Sequence, residues 1–158
     1  GPMVEGPHFE KVKSFIAITE QEGGKLVQGG KIHSDLGSGW YIEPTIFDNV
    51  TADMTLFQQE VFGPILAVTT FTSDEEAVAL ANNSSYGLAA SLYTESLKRA
   101  QRVSRAIRAG TVSINGFSEG DITTPFGGFK QSGFGGRDKG LEALQQYVQT
   151  KTIWYVQD

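Results

Sequence analysis

The stretch TVSINGFSEGDITTPFGGFKQSGFGGRD, residues 111–138, carries most of the information about fold and function in this chain. It opens with Thr111–Ile114, of which three residues are β-branched, so that a short strand is predicted, and an Asn-Gly turn follows it. The later glycines permit positive φ and close backbone approach, at a cost in chain entropy that indicates a shaped loop. Phe126 and Phe129 within the loop argue against a floppy surface segment, because such a segment has little use for buried rings.

A second informative stretch is QEVFGP at residues 59–64, which precedes an apolar run at residues 65–71. The run predicts a strand that is covered on both faces. An acid and an aromatic residue therefore flank a chain reversal at a strand entrance, where binding sites are often built.

Periodicity predicts strands that alternate with helices, and hence an α/β fold with a mostly parallel sheet and flanking helices. Ser73 and Glu76 form a capping-box pattern, and Gly110 and Asp138 are expected to be a C-cap and an N-cap. Helices are predicted at residues 8–22, 73–82 and 96–109 and after Asp138, and strands at 25–28, 41–50, 65–71, 88–93, 111–114 and 152–156.

Composition narrows the function classes. The chain has 158 residues, a net charge of −5 and no cysteine, which excludes disulfides, thiolate catalysis and cysteine-ligated zinc within it. We expect no nucleic-acid partner: the five cations of residues 96–109 are typical of a solvated helix face without interleaved aromatics. No apolar run approaches the roughly 20 residues that span a bilayer, and the two histidines form no metal-binding pair. We therefore expect a cytoplasmic protein that has no membrane partner and binds no metal.

Together, these motifs resemble the aldehyde dehydrogenase superfamily. QEVFGP before an apolar strand, ANNSSYGLAAS, AGTVSIN, PFGGFKQSG and a closing segment that ends in KT occur in the family's order. The resemblance implies that the chain is the C-terminal part of the catalytic domain at residues 1–151, followed by an oligomerisation strand at residues 152–158. Family members use a cysteine nucleophile and a water-activating glutamate, which would lie upstream of this chain. The isolated chain is therefore expected to be inactive, and the whole protein a homo-oligomer.

The resemblance also assigns cofactor-binding residues. In this family, the glutamate that matches Glu60 accepts hydrogen bonds from the hydroxyls of the nicotinamide ribose of NAD or NADP, which fixes the ring for hydride transfer. Phe62 matches an aromatic residue beside the cofactor. From the residues alone, the alternatives are a glutamate that caps the loop and a phenylalanine of the core. The core position is the favoured interpretation for Phe62, whereas the resemblance favours the cofactor role for Glu60.

Four residues of the glycine-rich loop are expected to bind the substrate. Phe126 matches an aromatic wall of the aldehyde tunnel, and Phe117 occupies another position along it. Glu119 and Asp121 replace apolar residues of simple aldehyde oxidisers, and two carboxylates at a tunnel mouth would attract a cationic tail. The run GDITTPFGGFKQSG with the later GRDK resembles the branch that oxidises γ-glutamyl-aminobutyraldehyde and related aminoaldehydes. The alternative is two solvated acids on a loop.

The residues and the resemblance leave two candidate functions. The first is a fragment of an NAD(P)-dependent dehydrogenase that oxidises an aldehyde, of the ω-aminoaldehyde type, to a carboxylic acid. The second is a free-standing, non-catalytic module that associates with itself or with a full-length subunit through the face that the missing part would cover.

Overall fold

The computed structural model describes residues 1–118 and 120–157, and the backbone divides into two compact units. The first unit extends from Gly1 to Ser84, and the second begins at Ser85. None of the helices in these ranges combines the length and the apolar character that crossing a bilayer requires.

The first unit combines a mixed sheet with helices. In chain order the elements are α1 (Gly6–Gln21), β1 (Lys25–Gln28), β2 (Ile32–His33), β3 (Tyr41–Ile42), β4 (Thr45–Asp48), α2 (Thr55–Gln58), β5 (Ile65–Ala67) and α3 (Asp74–Asn82). Strand β1 is antiparallel to β4, β4 is parallel to β5, and β2 and β3 form a separate antiparallel pair. Ser73 caps α3 as predicted, because its hydroxyl accepts a hydrogen bond from the backbone N–H of Glu76.

Helix α1 supplies one side of the core of the first unit. Its apolar residues recur at three- and four-residue spacing, so they share one face: Phe9, Val12, Phe15 and Ile16. This face packs against a cluster from β3, β4, α2 and the segments beside them, in which Phe47 is completely buried. The Glu22 carboxylate, just beyond α1, accepts hydrogen bonds from the backbone N–H and the hydroxyl of Thr55 at 2.8 and 2.6 Å. It thereby caps the start of α2, the helix that leads into the QEVFGP turn.

The predicted strand at residues 65–71 is shorter and less covered than expected. β5 ends at Ala67 and is an outer strand of the sheet β1-β4-β5. Leu66 is 57% exposed and Phe71 is also exposed, so the prediction of a strand covered on both faces is wrong for this unit. An apolar run indicates burial but cannot reveal which part of a protein provides the cover.

The β2–β3 pair carries an ionic cluster that the sequence did not indicate. His33 Nε2 lies 2.8 Å from a Glu43 carboxylate oxygen, and His33 Nδ1 lies 3.2 Å from one of Asp35. These contacts raise the pKa of His33 above its usual 6.5, chiefly through the hydrogen bond with Glu43 and then through that with Asp35.

We expect the order of this hairpin to depend on pH. The pKa of His33 is raised in the folded state, so the contribution of the imidazolium is fully present below about pH 6.5, its unfolded value. It is lost as pH rises through the higher folded pKa. Hydrogen exchange of the amides of residues 31–43, corrected for intrinsic pH dependence, should show protection falling over that window. A His33→Gln variant should remove the trend, and an equal fall in both proteins would contradict the assignment to His33.

The second unit starts as a parallel β-α-β arrangement. Its elements are β6 (Ala89–Leu92), α4 (Leu97–Ala106) and β7 (Thr111–Ile114), followed by two 3-10 helices at Lys130–Ser132 and Leu141–Tyr147. β6 pairs in parallel with β7, from Ala89 opposite Thr111 to Leu92 opposite Ile114. The α/β class is therefore confirmed, whereas only two of the four strand pairs among the described residues are parallel.

Three predicted features of the second unit are wrong. Helix α4 ends at Ala106, and its C-cap is Ile107 and not Gly110. Asp138 caps no α-helix: the closing helix is of the 3-10 type and begins after Gly140, while Asp138 forms an isolated antiparallel bridge with Phe126. Residues 152–156 form no strand within the described chain, and their side chains are exposed, so the closing strand is absent from this unit. The oligomerisation strand expected at residues 152–158 stays a prediction.

Candidate functional site

The predicted cofactor residues lie on a tight turn between α2 and β5 in the first unit. Val61 is buried and anchors the turn, whereas Phe62 is 70% exposed with a φ of 56°. A non-glycine residue in this left-handed region is uncommon and points to strain that the surroundings maintain. Such strain is frequent at ligand-binding sites.

Two contacts from helix α1 hold this turn in place. His8 Nε2 lies 2.6 Å from the carbonyl oxygen of Phe62, so the imidazole donates a hydrogen bond to the strained residue. Gly63 lies against the completely buried Val12, and a Cβ at position 63 would come within 2.7 Å of both Val12 methyl groups. The role of His8 was not predicted, because a single histidine on a helix carries no signal for a partner 54 residues away.

The Glu60 carboxylate is exposed at the start of this turn. Among the described residues it has no hydrogen-bond or ion-pair partner, so it is not a loop cap. An ionised carboxylate is an acceptor with capacity for several hydrogen bonds, which suits the two adjacent hydroxyl groups of a ribose. The Glu60 carboxylate therefore has the acceptor capacity that the resemblance expects of it, and its role in binding the nicotinamide ribose stays a prediction.

The Gly63–Val12 contact gives a measurable coupling. We expect Gly63→Ala to destabilise the protein by about 1–3 kcal/mol, because the added methyl group overpacks a full core site. Val12→Ala alone should cost about 2 kcal/mol through the cavity that it leaves. The double variant should lose clearly less than the sum of the two, since each change makes room for the other. Urea unfolding of all four proteins measures the coupling, and additive losses would refute the contact.

The predicted substrate residues lie in the second unit, on the loop after β7. The amide of Asn115 both accepts from and donates to the backbone of Thr94, at 2.8 and 2.9 Å, and so joins the chain after β7 to the chain after β6. The loop therefore starts at the carboxyl ends of two parallel strands, where ligands of α/β sheets commonly bind. Phe117, two residues on, is 88% exposed. Glu119 lies outside the described residues.

Asp121 shapes the loop through its own hydrogen bonds. One carboxylate oxygen accepts from the backbone N–H and the hydroxyl of Thr123, at 2.8 and 2.6 Å. These bonds are the main cause of a lowered pKa of Asp121, to which the positive charge of Lys139 adds. Asp121 is exposed and ionised, so it combines a structural role with a negative charge at the surface of the loop.

Phe126 is half-buried and is held from two directions. Its backbone N–H and C=O pair with those of Asp138 at 2.6 and 2.7 Å. The Lys139 ammonium lies 5.0 Å from the centroid of its ring. An open cleft of about 210 Å³ beside the ring is also lined by Phe134 and Gln146. The role of Lys139 was not predicted, because nothing in the local sequence links it to Phe126.

The structure thus places the predicted residues in two groups. Glu60 and Phe62 share one turn of the first unit, and Phe117, Asp121 and Phe126 share one loop of the second unit. In each group an exposed residue lies two positions from a non-glycine residue with positive φ: Glu60 from Phe62 in the first, and Phe117 from Asn115, whose φ is 53°, in the second. The first group offers hydrogen-bond acceptors, and the second offers aromatic surface beside charge.

The sequence and this architecture place the chain in a known family: it belongs to the aldehyde dehydrogenase family, whose family model matches residues 1–153. It is 50% identical over 154 residues to an aminoacetaldehyde dehydrogenase of Pseudomonas aeruginosa, across 98% of this chain and 30% of that protein. It is 46% identical over 154 residues to the NADP/NAD-dependent aldehyde dehydrogenase PuuC of Escherichia coli, with the same two coverages.

A solved structure gives the same result. The chain is similar, with a TM-score of 0.92 and 46% identity, to an indole-3-acetaldehyde dehydrogenase of P. syringae in complex with NAD+ and IAA. That match covers 98% of this chain and 31% of the solved chain. The chain therefore spans about three tenths of the length of the relatives that it matches.

Proposed function

We propose that the chain is part of an NAD(P)-dependent aldehyde dehydrogenase that oxidises an aldehyde to a carboxylic acid. The observation that carries the proposal is the exposed Glu60 carboxylate on a strained turn that α1 holds in place. The family membership and the NAD+ in a solved relative support it. The protein would act in the cytoplasm on a small-molecule substrate.

We further propose that the chain corresponds to the C-terminal part of such an enzyme. The order of its motifs supports this placement. The absence of cysteine supports the proposal that the chain is only part of the enzyme, because the family's nucleophile must then come from another part. The P. aeruginosa relative, of which 154 residues make up 30%, is about 510 residues long. Roughly 350 residues would accordingly precede this chain. Sequencing the gene on both sides tests this, and a dehydrogenase-like sequence after residue 158 instead of before residue 1 would overturn it.

The residues of this chain would bind and orient the cofactor and the substrate, and would not themselves react. When bound, the cofactor accepts the hydride that leaves the substrate. Glu60 would accept hydrogen bonds from the two ribose hydroxyls and so fix the ring, while Phe62 would present an exposed ring beside it. His8 would keep the backbone of Phe62 in its left-handed conformation through their hydrogen bond.

For the substrate we propose an ω-aminoaldehyde. The similarity to a protein named for aminoacetaldehyde supports this class, and so does the resemblance of the loop motifs to the aminoaldehyde branch of the family. Phe117 and Phe126 would provide apolar walls for the carbon chain of the substrate. Asp121 is exposed and ionised, so it would attract the ammonium group, and Glu119 would add a second negative charge.

The terminal segment favours self-association, which is also the basis of the second candidate function, a non-catalytic module. Ile153, Trp154, Tyr155 and Val156 are 60–84% exposed in a row. Such a run is an aggregation liability on a free surface, so we propose that a second copy of the protein covers it in a homo-oligomer.

The decisive experiment is to express the complete gene product and the 158-residue chain side by side. The complete protein should reduce NAD+ or NADP+ in the presence of aldehydes, whereas the isolated chain should give no turnover. The intact mass of the native protein is measured first. A native mass of 17.1 kDa with no active larger form would refute the enzyme and favour the non-catalytic module.

A further inference from the structure

The turn Asp138-Lys139-Gly140 closes the base of the proposed substrate loop. Asp138 pairs with Phe126 through two backbone hydrogen bonds, and the Gly140 N–H donates to the carbonyl oxygen of Ile122 at 2.9 Å. Lys139 and Gly140 both have a φ of 64°, in the left-handed region. A lysine is uncommon there, so the two flanking contacts hold it in a conformation that it would not adopt freely.

This conformation fixes the position of a positive charge. Lys139 is half-buried, and its ammonium lies 5.0 Å from the centroid of the Phe126 ring, within the range of a cation–π interaction. Most surface lysines carry their charge on a mobile stem, which spreads its field over many positions. Here, the strained backbone sets the point from which the side chain leaves the turn, and the contact with the Phe126 ring places the ammonium beside the aromatic wall of the proposed tunnel.

Asp121, on the same loop, carries a negative charge opposite to that of Lys139. Its side chain is held by Thr123, and the positive charge of Lys139 contributes to keeping the carboxylate ionised, as a minor cause of its lowered pKa after the Thr123 hydrogen bonds. The loop therefore presents a carboxylate and an ammonium rather than a purely negative surface. A cationic substrate tail would be attracted by one and opposed by the other.

We propose that Lys139 is a specificity-determining residue whose ammonium, fixed above Phe126, disfavours aldehydes with a cationic tail and favours those with an anionic tail. This inference rests on the proposed function, and it sharpens the substrate class. Lys139 limits the preference for aminoaldehydes, and the balance between its positive charge and the negative charges of Asp121 and Glu119 sets the strength of that preference. If the role of Lys139 in the turn were purely structural, replacing it would change the stability of the protein and not its order of preference among substrates.

The test compares three aldehydes with four-carbon chains on the complete enzyme. They are butyraldehyde, which is neutral, 4-trimethylammoniobutyraldehyde, which is always cationic, and succinic semialdehyde, which is anionic. Lys139→Met keeps an unbranched side chain that is one atom shorter and removes its charge, and Lys139→Arg keeps the charge. Asp121→Asn removes the opposite charge and is the reciprocal variant. Thermal unfolding of every variant accompanies the kinetics.

We expect Lys139→Met to raise the ratio of kcat/KM for the cationic over the neutral aldehyde by about 3- to 30-fold, the range for one charge several ångströms away. In the same variant, the ratio of kcat/KM for the anionic over the neutral aldehyde should fall. Lys139→Arg should leave both ratios near their wild-type values. Asp121→Asn should lower the ratio for the cationic aldehyde and raise that for the anionic one. Ratios within about twofold of wild type in Lys139→Met, with or without lost stability, would overturn the inference. A wild-type enzyme that turns over no aldehyde would overturn the proposed function itself, before any variant is compared.

Discussion

Adding a single methyl group at Gly110 is expected to destabilise the second unit by about 3 kcal/mol or more, at the upper end of what overpacking costs. Gly110 stands directly before β7, and a Cβ there would overlap the carbonyl oxygen of Gly127 and lie 2.8 Å from its carbonyl carbon. Backbone atoms cannot rotate away as a side chain can, so either β7 or the PFGG segment must move.

Movement is costly because the surrounding backbone is shared. The Gly87 carbonyl oxygen accepts from the N–H groups of both Gly110 and Phe129, at 3.1 and 2.8 Å. A shift of Gly110 away from Gly127 therefore strains the hydrogen bonds that join the β6 entrance to the candidate site loop. We expect the loss of stability to affect both the β6–β7 strand pair and the segment around Phe126.

Gly116→Ala is the matched control for this experiment. The nearest atom to a Cβ at Gly116 is the Ile114 carbonyl oxygen at 4.0 Å, so the same chemical change there meets open space. Hydrogen exchange of the β6 and β7 amides in both variants measures the local stability. If Gly110→Ala retains protection within about 0.5 kcal/mol of Gly116→Ala, the close approach of Gly110 and Gly127 is not rigid, and the explanation fails.

Features with local signals could be predicted from the sequence. Helix α3 and its Ser73 cap were predicted, because the cap and its partner lie three residues apart. The strand Thr111–Ile114 was also predicted correctly, from its β-branched residues. The family motifs located Glu60 and Phe126 at positions where the structure has exposed or half-buried groups beside strained backbone.

Features fixed by distant contacts could not be predicted. Gly110 was expected to end α4, but the helix stops at Ala106 and Gly110 permits the approach of Gly127. Asp138 has the chemistry of an N-cap, yet its backbone pairs with Phe126. His8 and Lys139 were missed for the same reason, since their partners are the Phe62 carbonyl and the Phe126 ring. A sequence pattern reports what a residue can do locally, and these contacts depend on the tertiary fold.

Replacing Glu60 should produce the largest functional loss in the complete enzyme. We expect Glu60→Ala to lower kcat by about 10²-fold, because misplacing a reacting group by about 1 Å costs that much. The KM for the aldehyde should change little, since the residues proposed to bind it lie on the loop after β7. Glu60→Gln keeps the shape and one acceptor oxygen but loses the charge, and should fall between the two proteins.

Two measurements separate orientation of the cofactor from a general loss of structure. The Kd for NAD+, from quenching of protein fluorescence, should rise about tenfold or more in Glu60→Ala through the lost charge-assisted hydrogen bonds. The kinetic isotope effect with a C1-deuterated aldehyde should rise as hydride transfer becomes the slow step. Glu20→Ala, which removes another exposed carboxylate of the first unit, should change neither.

The Glu60 prediction separates function from stability, because the Glu60 carboxylate has no partner among the described residues. Because no described residue pairs with it, its removal breaks no internal contact, and unfolding experiments should find Glu60→Ala as stable as wild type. A stable variant with normal NAD+ binding and normal kcat would mean that the strained turn serves the fold alone. A stable variant that binds NAD+ weakly and transfers hydride slowly requires the carboxylate to act on the cofactor, which no structural role can imitate.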